Sequence, residues 1–150
     1  MATGKFIVFY GINNLGKSTQ AQKLVEALLA KGYQAEYMKY PHYELEPFGP
    51  ILNNYLRGGN PHELSAREFQ LLHLLDKLHY QKTLEQKLSA GTHVIAEDYK
   101  GTSIAWGMAA GVDGKLLKQI NTVLRDEDLV FLFDGERFMQ SVESGHRHEA

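Results

Sequence analysis

The sequence has no cysteine, so disulfides, thiolate nucleophiles and thiolate metal sites are all excluded. It has no dense run of lysine or arginine either, and 16 basic residues stand against 18 acidic ones. Proteins that track a nucleic-acid backbone carry a basic face, so nucleic acid is not expected as a partner. Long hydrophobic runs are missing as well. The opening MATGKFIVFY holds an apolar stretch too short for a signal-peptide core or a membrane span, and a soluble, cytoplasmic protein is expected. No internal repeat, low-complexity tract or linker interrupts residues 1–150, which are read as one domain large enough to bury a single core.

What is present alternates between two periodicities. Lys5–Tyr10 is a compact apolar run of aromatic and β-branched residues, as in a buried central strand. From Lys17, Ala21, Leu24, Val25, Leu28 and Leu29 recur at helical spacing, and Gly32 is placed to cap that helix. Gln34–Lys39 reads as a second strand, stopped at Tyr40-Pro41. Phe48–Leu56 reads as a short helix with Pro50 in its first turn. Ser65 and Glu68 have capping-box spacing and open a long helix to about Ala90. His93–Glu97 and Asp128–Phe133 read as third and fourth strands, with helices expected over Ser103–Ala110 and Lys115–Leu124 and another beginning in Glu136–Val142. Strands alternating with helices predict an α/β, three-layer fold, a parallel sheet of about four strands covered by helices on both faces.

One motif carries chemistry. Gly11-Ile12-Asn13-Asn14-Leu15-Gly16-Lys17-Ser18 satisfies G-x-x-x-x-G-K-[ST] in full, with a strand before it and a helix after it. The two glycines permit close approach of the backbone, and the loop amides, backed by the helix N-terminus, surround phosphate oxygens. Lys17 can reach terminal phosphates and Ser18 offers a hydroxyl to Mg²⁺. Leu64, Phe69, Leu72 and Leu75 form a stripe suited to core burial or a dimer interface. His146-Arg147-His148 is read as a solvated tail rather than a metal site.

The P-loop, followed by a strand ending in YP, then LLHLLDKLHY, then VIAEDYKGTSIAWG, resembles the thymidylate kinases, a family of nucleoside monophosphate kinases; the likeness runs in order from the N-terminus to about Phe133. That resemblance implies ATP with Mg²⁺ as donor, dTMP as acceptor, dTDP as product and a homodimer through the helices. It implies nucleotide contacts from Gly11, Asn13, Asn14, Leu15, Gly16, Lys17, Ser18 and Thr19, a metal held by Ser18 and Glu97, and a catalytic group of Lys17, Glu97 and Asp98. On the acceptor side it implies Asn13, Lys39, Tyr40, His42, Tyr43, His73, Lys77, Ser103 and Trp106: His73 and Trp106 for the base, Lys77 for its edge, Lys39 and His42 for the phosphate.

The departures are as specific as the matches. Asn13 stands where the family has an acid, and Asp98 where it has an arginine facing the phosphates. The family's lid, whose arginines close over ATP, is expected to begin near Ser144, with Arg147 as its representative; the family's last strand and helix are missing from residues 1–150, as in a fragment or in a protein that has dispensed with them. These departures leave two alternatives beside dTMP phosphorylation: a nucleotide-binding protein with weak or no kinase activity, and a kinase for a different nucleotide or nucleoside acceptor.

Overall fold

The computed structural model describes residues 2–141 and 143–147. Four strands, β1 (Phe6–Tyr10), β2 (Ala35–Lys39), β3 (His93–Glu97) and β4 (Leu129–Leu132), form one parallel sheet in the order β2-β3-β1-β4. Five helices connect and flank them: α1 (Lys17–Ala30), α2 (Phe48–Arg57), α3 (Ala66–Ser89), α4 (Lys100–Ala109) and α5 (Gly114–Asn121). The α/β sandwich read from the alternation is the fold observed.

Strand alternation sorts the core into two layers. Phe6 and Val8 of β1 point with Val94 and Ala96 of β3 toward α3, where they meet Leu84, Leu88 and Tyr99. Ile7 and Phe9 point with Ile95 to the other face, against Ala21, Leu24, Val25 and Leu28 of α1. A third cluster joins α2 to α3 through Leu52, Tyr55, Leu56 and Phe69, with the Tyr55 and Phe69 rings stacked at 3.7 Å. The predicted capping box is formed: Glu68 N–H donates to Ser65 Oγ, and Ser65 N–H to the Glu68 carboxylate. It fixes the start of the helix that walls the cavity described below.

Two expectations are corrected. The sheet is not covered throughout, because β4 pairs with β1 alone and Leu129, Val130, Phe131 and Leu132 are all exposed among the described residues. Of the expected Glu136–Val142 helix, the described residues form only a one-turn 3₁₀ helix at Met139–Ser141, because the Phe138 N–H donates to the Asn14 carbonyl at 2.7 Å and ties this segment to the phosphate loop; Val142 lies outside the described residues. In addition, α4 starts at Lys100, three residues before the predicted Ser103. Gly101 belongs to its first turn, with Tyr10 packed against it.

Candidate functional site

The carboxyl ends of β1 and β3 meet at the loop 11–16, and there a cavity of about 510 Å³ opens, running on between α3 and α4. Parallel α/β sheets present this end of their strands to ligands. Gly11 lies at φ 142°, and a Cβ there would stand 2.7 Å from the Phe133 carbonyl oxygen, so only glycine fits. Gly16 is the N-cap of α1 in the left-handed region, and no side chain caps the helix. The contrast with α3 is informative: a capping side chain would occupy the first-turn amides that an anion needs, and α1 leaves them to a ligand.

Lys17 is 4% exposed, and its ammonium donates to the carbonyls of Gly11 (2.8 Å) and Ile12 (2.7 Å), at the start of the loop. Burial pulls its pKa below the ordinary lysine value, opposed by the carboxylates of Asp98 and Glu97. Ser18 Oγ donates to Glu97 Oε2 at 2.6 Å, and the Tyr37 hydroxyl donates to the same oxygen. A hydroxyl and a buried carboxylate converging from α1 and β3 are hard oxygen donors of the kind Mg²⁺ takes beside phosphate oxygens, so these residues fit that ion. Among the described residues no group of three histidines or carboxylates suits a metal by itself.

Asp98 follows Glu97 at φ 61°, a conformation that aspartate tolerates better than most residues, and its carboxylate accepts from Thr102 Oγ1 at 3.1 Å. Burial pushes its pKa up, while Lys17 and Lys39 pull it down. An acid therefore lies in the cavity wall between the loop and α4.

The other half of the cavity is lined by α3 and α4. Lys77 is 1% exposed and donates to Ser103 Oγ at 2.7 Å and to the His73 carbonyl at 3.1 Å. Its burial holds the amine's pKa down to about 8, against the pull of Asp76 and Asp98. His73 lies edge-on to Phe69 at 4.5 Å, and Tyr40, Tyr43 and Trp106 complete the aromatic wall.

The cavity thus brings together Gly11, Asn13, Asn14, Gly16, Lys17, Ser18, Thr19, Lys39, Tyr40, Tyr43, His73, Lys77, Glu97, Asp98, Ser103 and Trp106. Three of the residues read from the sequence lie outside its lining. Leu15 belongs to the loop but does not line the cavity. His42 is stacked on Tyr80 at 4.1 Å, with Nδ1 3.5 Å from Asp76. Arg147 lies over the Tyr55 ring at 4.2 Å rather than at the phosphate loop. The tail is also not wholly solvated, since His146 is buried and lines the cavity; His148 lies outside the described residues.

Sequence reasoning missed Tyr37, Arg57 and Gln70. Arg57 ends α2, forms a two-pronged pair with Glu143 (2.6 and 3.1 Å) and covers the Tyr43 ring at 4.6 Å. Its adjacency to two glycines marked a helix end, not a wall residue. Tyr37 and Gln70 carry no local motif; only the pairing of β2 with β3 and the packing of α3 on α4 bring them in.

The sheet order, the loop and the uncapped α1 define a P-loop protein of the α/β class. A family profile described as thymidylate kinase matches residues 9–148, and the chain belongs to that family. It is 33% identical over 136 residues to the probable thymidylate kinase of Thermococcus kodakarensis, covering 86% of this chain and 65% of that protein. It is 31% identical over 128 residues to the thymidylate kinase of Homo sapiens, covering 85% and 59%. The chain therefore spans about three fifths of the length of these relatives. Its fold matches the thymidylate kinase of Candida albicans with a TM-score of 0.73 at 23% identity, over 89% of this chain and 64% of that one. The thymidylate kinase of Ehrlichia chaffeensis superposes with a TM-score of 0.72 at 24% identity, over 88% and 72%. No helix among the described residues is long and apolar enough to cross a membrane.

Proposed function

We propose that this chain transfers the terminal phosphoryl group of ATP to a nucleoside monophosphate, with dTMP as acceptor and dTDP as product. The observation that carries the reading is one continuous cavity with a phosphate cradle at one end and an aromatic, amine-bearing pocket at the other. Such a cavity holds both reactants in one frame, and positioning with charge stabilisation supplies most of the catalysis in phosphoryl transfer. An acceptor phosphate oxygen attacks the γ-phosphorus, the bond to the β-γ bridging oxygen breaks, and ADP leaves.

The residues divide the work. The first-turn amides of α1 and the loop 11–16 take the β- and γ-phosphates, and Lys17 supplies the buried positive charge beside them. Ser18 and Glu97 hold Mg²⁺, which when bound neutralises charge on the phosphate oxygens. Tyr37 orients Glu97 by donating to its carboxylate. Lys39 and Arg57 are the wall cations nearest in kind to what an acceptor phosphate needs, and His73 and Trp106 are the rings that flank a base. A homodimer through the outer face of α3, where Leu71, Leu75 and Leu78 are exposed, accompanies this reading, and light scattering measures it directly.

A second reading is favoured by Asp98. A carboxylate in this wall repels an incoming phosphate but suits a hydroxyl acceptor, whose proton it can take; a nucleoside would then be phosphorylated instead. ADP release with dTMP, dUMP, AMP, CMP, GMP and thymidine offered singly separates the readings. Stimulation by dTMP is expected; stimulation by thymidine alone selects the hydroxyl acceptor. Release that no acceptor stimulates, with ATP bound, leaves a nucleotide-binding protein.

A further inference from the structure

Gln70 is 3% exposed and lines the cavity, yet its side-chain oxygen is buried without a hydrogen-bond partner. Buried polar atoms are almost always paired, because an unpaired one forfeits its hydration for nothing. No ionic network or helix cap accounts for this amide. Its place in the fold does. On α3, positions 70, 73 and 77 follow at intervals of three and four, so Gln70, His73 and Lys77 share one helix face, and all three line the cavity. Across from them α4 closes in at Gly107, where a Cβ would stand 3.0 Å from Gln70 Cγ. The stem of Gln70 is thereby wedged between the helices.

The chemistry of this face is asymmetric. Lys77 can only donate, and the unpaired Gln70 oxygen can only accept. A buried acceptor in this wall can take the N3–H of thymine or uracil, and it mismatches cytosine, whose N3 is itself an acceptor. Resting on the proposed function, we infer that Gln70 determines base specificity by accepting the imide N3–H of a pyrimidine in the acceptor pocket.

The test is calorimetric titration of the full chain with dTMP and with N3-methyl-dTMP, for the natural protein and for Gln70→Leu, alongside thermal melts. The natural protein is expected to bind dTMP at least about tenfold more tightly than the methylated nucleotide, the range set by leaving a buried polar group unpaired. Gln70→Leu is expected to weaken dTMP by a similar factor, to bind both nucleotides alike, and to melt no lower than the natural protein. Gln70→Met keeps the side-chain length and is expected to behave the same, which preserves the test should the leucine variant not fold. Equal affinity of the natural protein for the two nucleotides overturns the assignment, as does full discrimination retained in the variants. A natural protein that binds ATP but neither thymidine nucleotide overturns the proposed dTMP acceptor as well, a result distinct from failure of Gln70 alone.

Discussion

The two ends of the cavity are built on opposite terms. At the phosphate end the polar groups answer one another: Lys17 is tied to two loop carbonyls, and Ser18 and Tyr37 both donate to Glu97. At the acceptor end one group is left over: Gln70 has a buried oxygen without a partner, while the enclosed Lys77 amine donates to Ser103 and to the His73 carbonyl. The first end is assembled mostly from the loop and the start of α1, joined by Glu97 from β3 and Tyr37 from β2. The second draws on β2, α2, α3 and α4. Phosphate is the same ligand in every P-loop protein, so its cradle is a fixed local motif; an acceptor is particular, and its pocket is built from side chains distant in the chain.

The largest effect is expected at the paired end. Lys17→Ala removes the charge beside the phosphates and the tie across the loop, and ATP affinity measured by titration should fall by about 10²–10³, within the range of truncating one partner of a buried charged contact. Wild-type affinity in that variant would break the comparison at its firmest point.

Asp98→Asn sharpens the contrast between acceptors. Removing one like charge next to a phosphate in a partly solvated wall is worth on the order of 1 kcal/mol, so KM for dTMP should fall by about fivefold in steady-state assays. A loss of turnover instead, with no change in KM, would make Asp98 a proton acceptor and favour a hydroxyl substrate.

The smallest effect is a pH dependence at the acceptor end. Burial lowers the Lys77 pKa from 10.5 to about 8, so above pH 8 the folded chain gives up a proton that the unfolded chain keeps until about 10.5. The unfolded state then binds more protons, and stability contributed by this group rises with pH across that window. The charge offered to the acceptor is lost over the same window. Affinity for dTMP should therefore drop a few-fold between pH 7.5 and 9 while the melting temperature does not fall for this reason, and ATP affinity should follow a different profile. In Lys77→Arg, which stays charged, the acceptor's pH dependence should vanish.

Legibility in the sequence followed the same divide. β1, the loop, α1 and the Ser65 capping box were readable because each is written in neighbouring residues. Asp128–Phe133 was readable as a strand, but its exposure was not: an apolar run looks the same whether or not a helix covers it, and here none of the described helices does. Glu136–Val142 misled because a helical pattern says nothing about the Asn14 carbonyl that captures Phe138. His42 was assigned with Lys39 to the acceptor phosphate through the family resemblance; the structure places it between the stacked Tyr80 and the buried Asp76, outside the cavity lining. Arg57 and Gln70 escaped notice because only the packing of α2, α3 and α4 carries them into the cavity.

If the two ends of the cavity act on one pair of reactants, transfer is visible by phosphorus NMR of the full chain with ATP, Mg²⁺ and dTMP. ADP and the β-phosphate of dTDP should grow in together at equal rates, without inorganic phosphate. ADP accompanied by inorganic phosphate and indifferent to dTMP would contradict it.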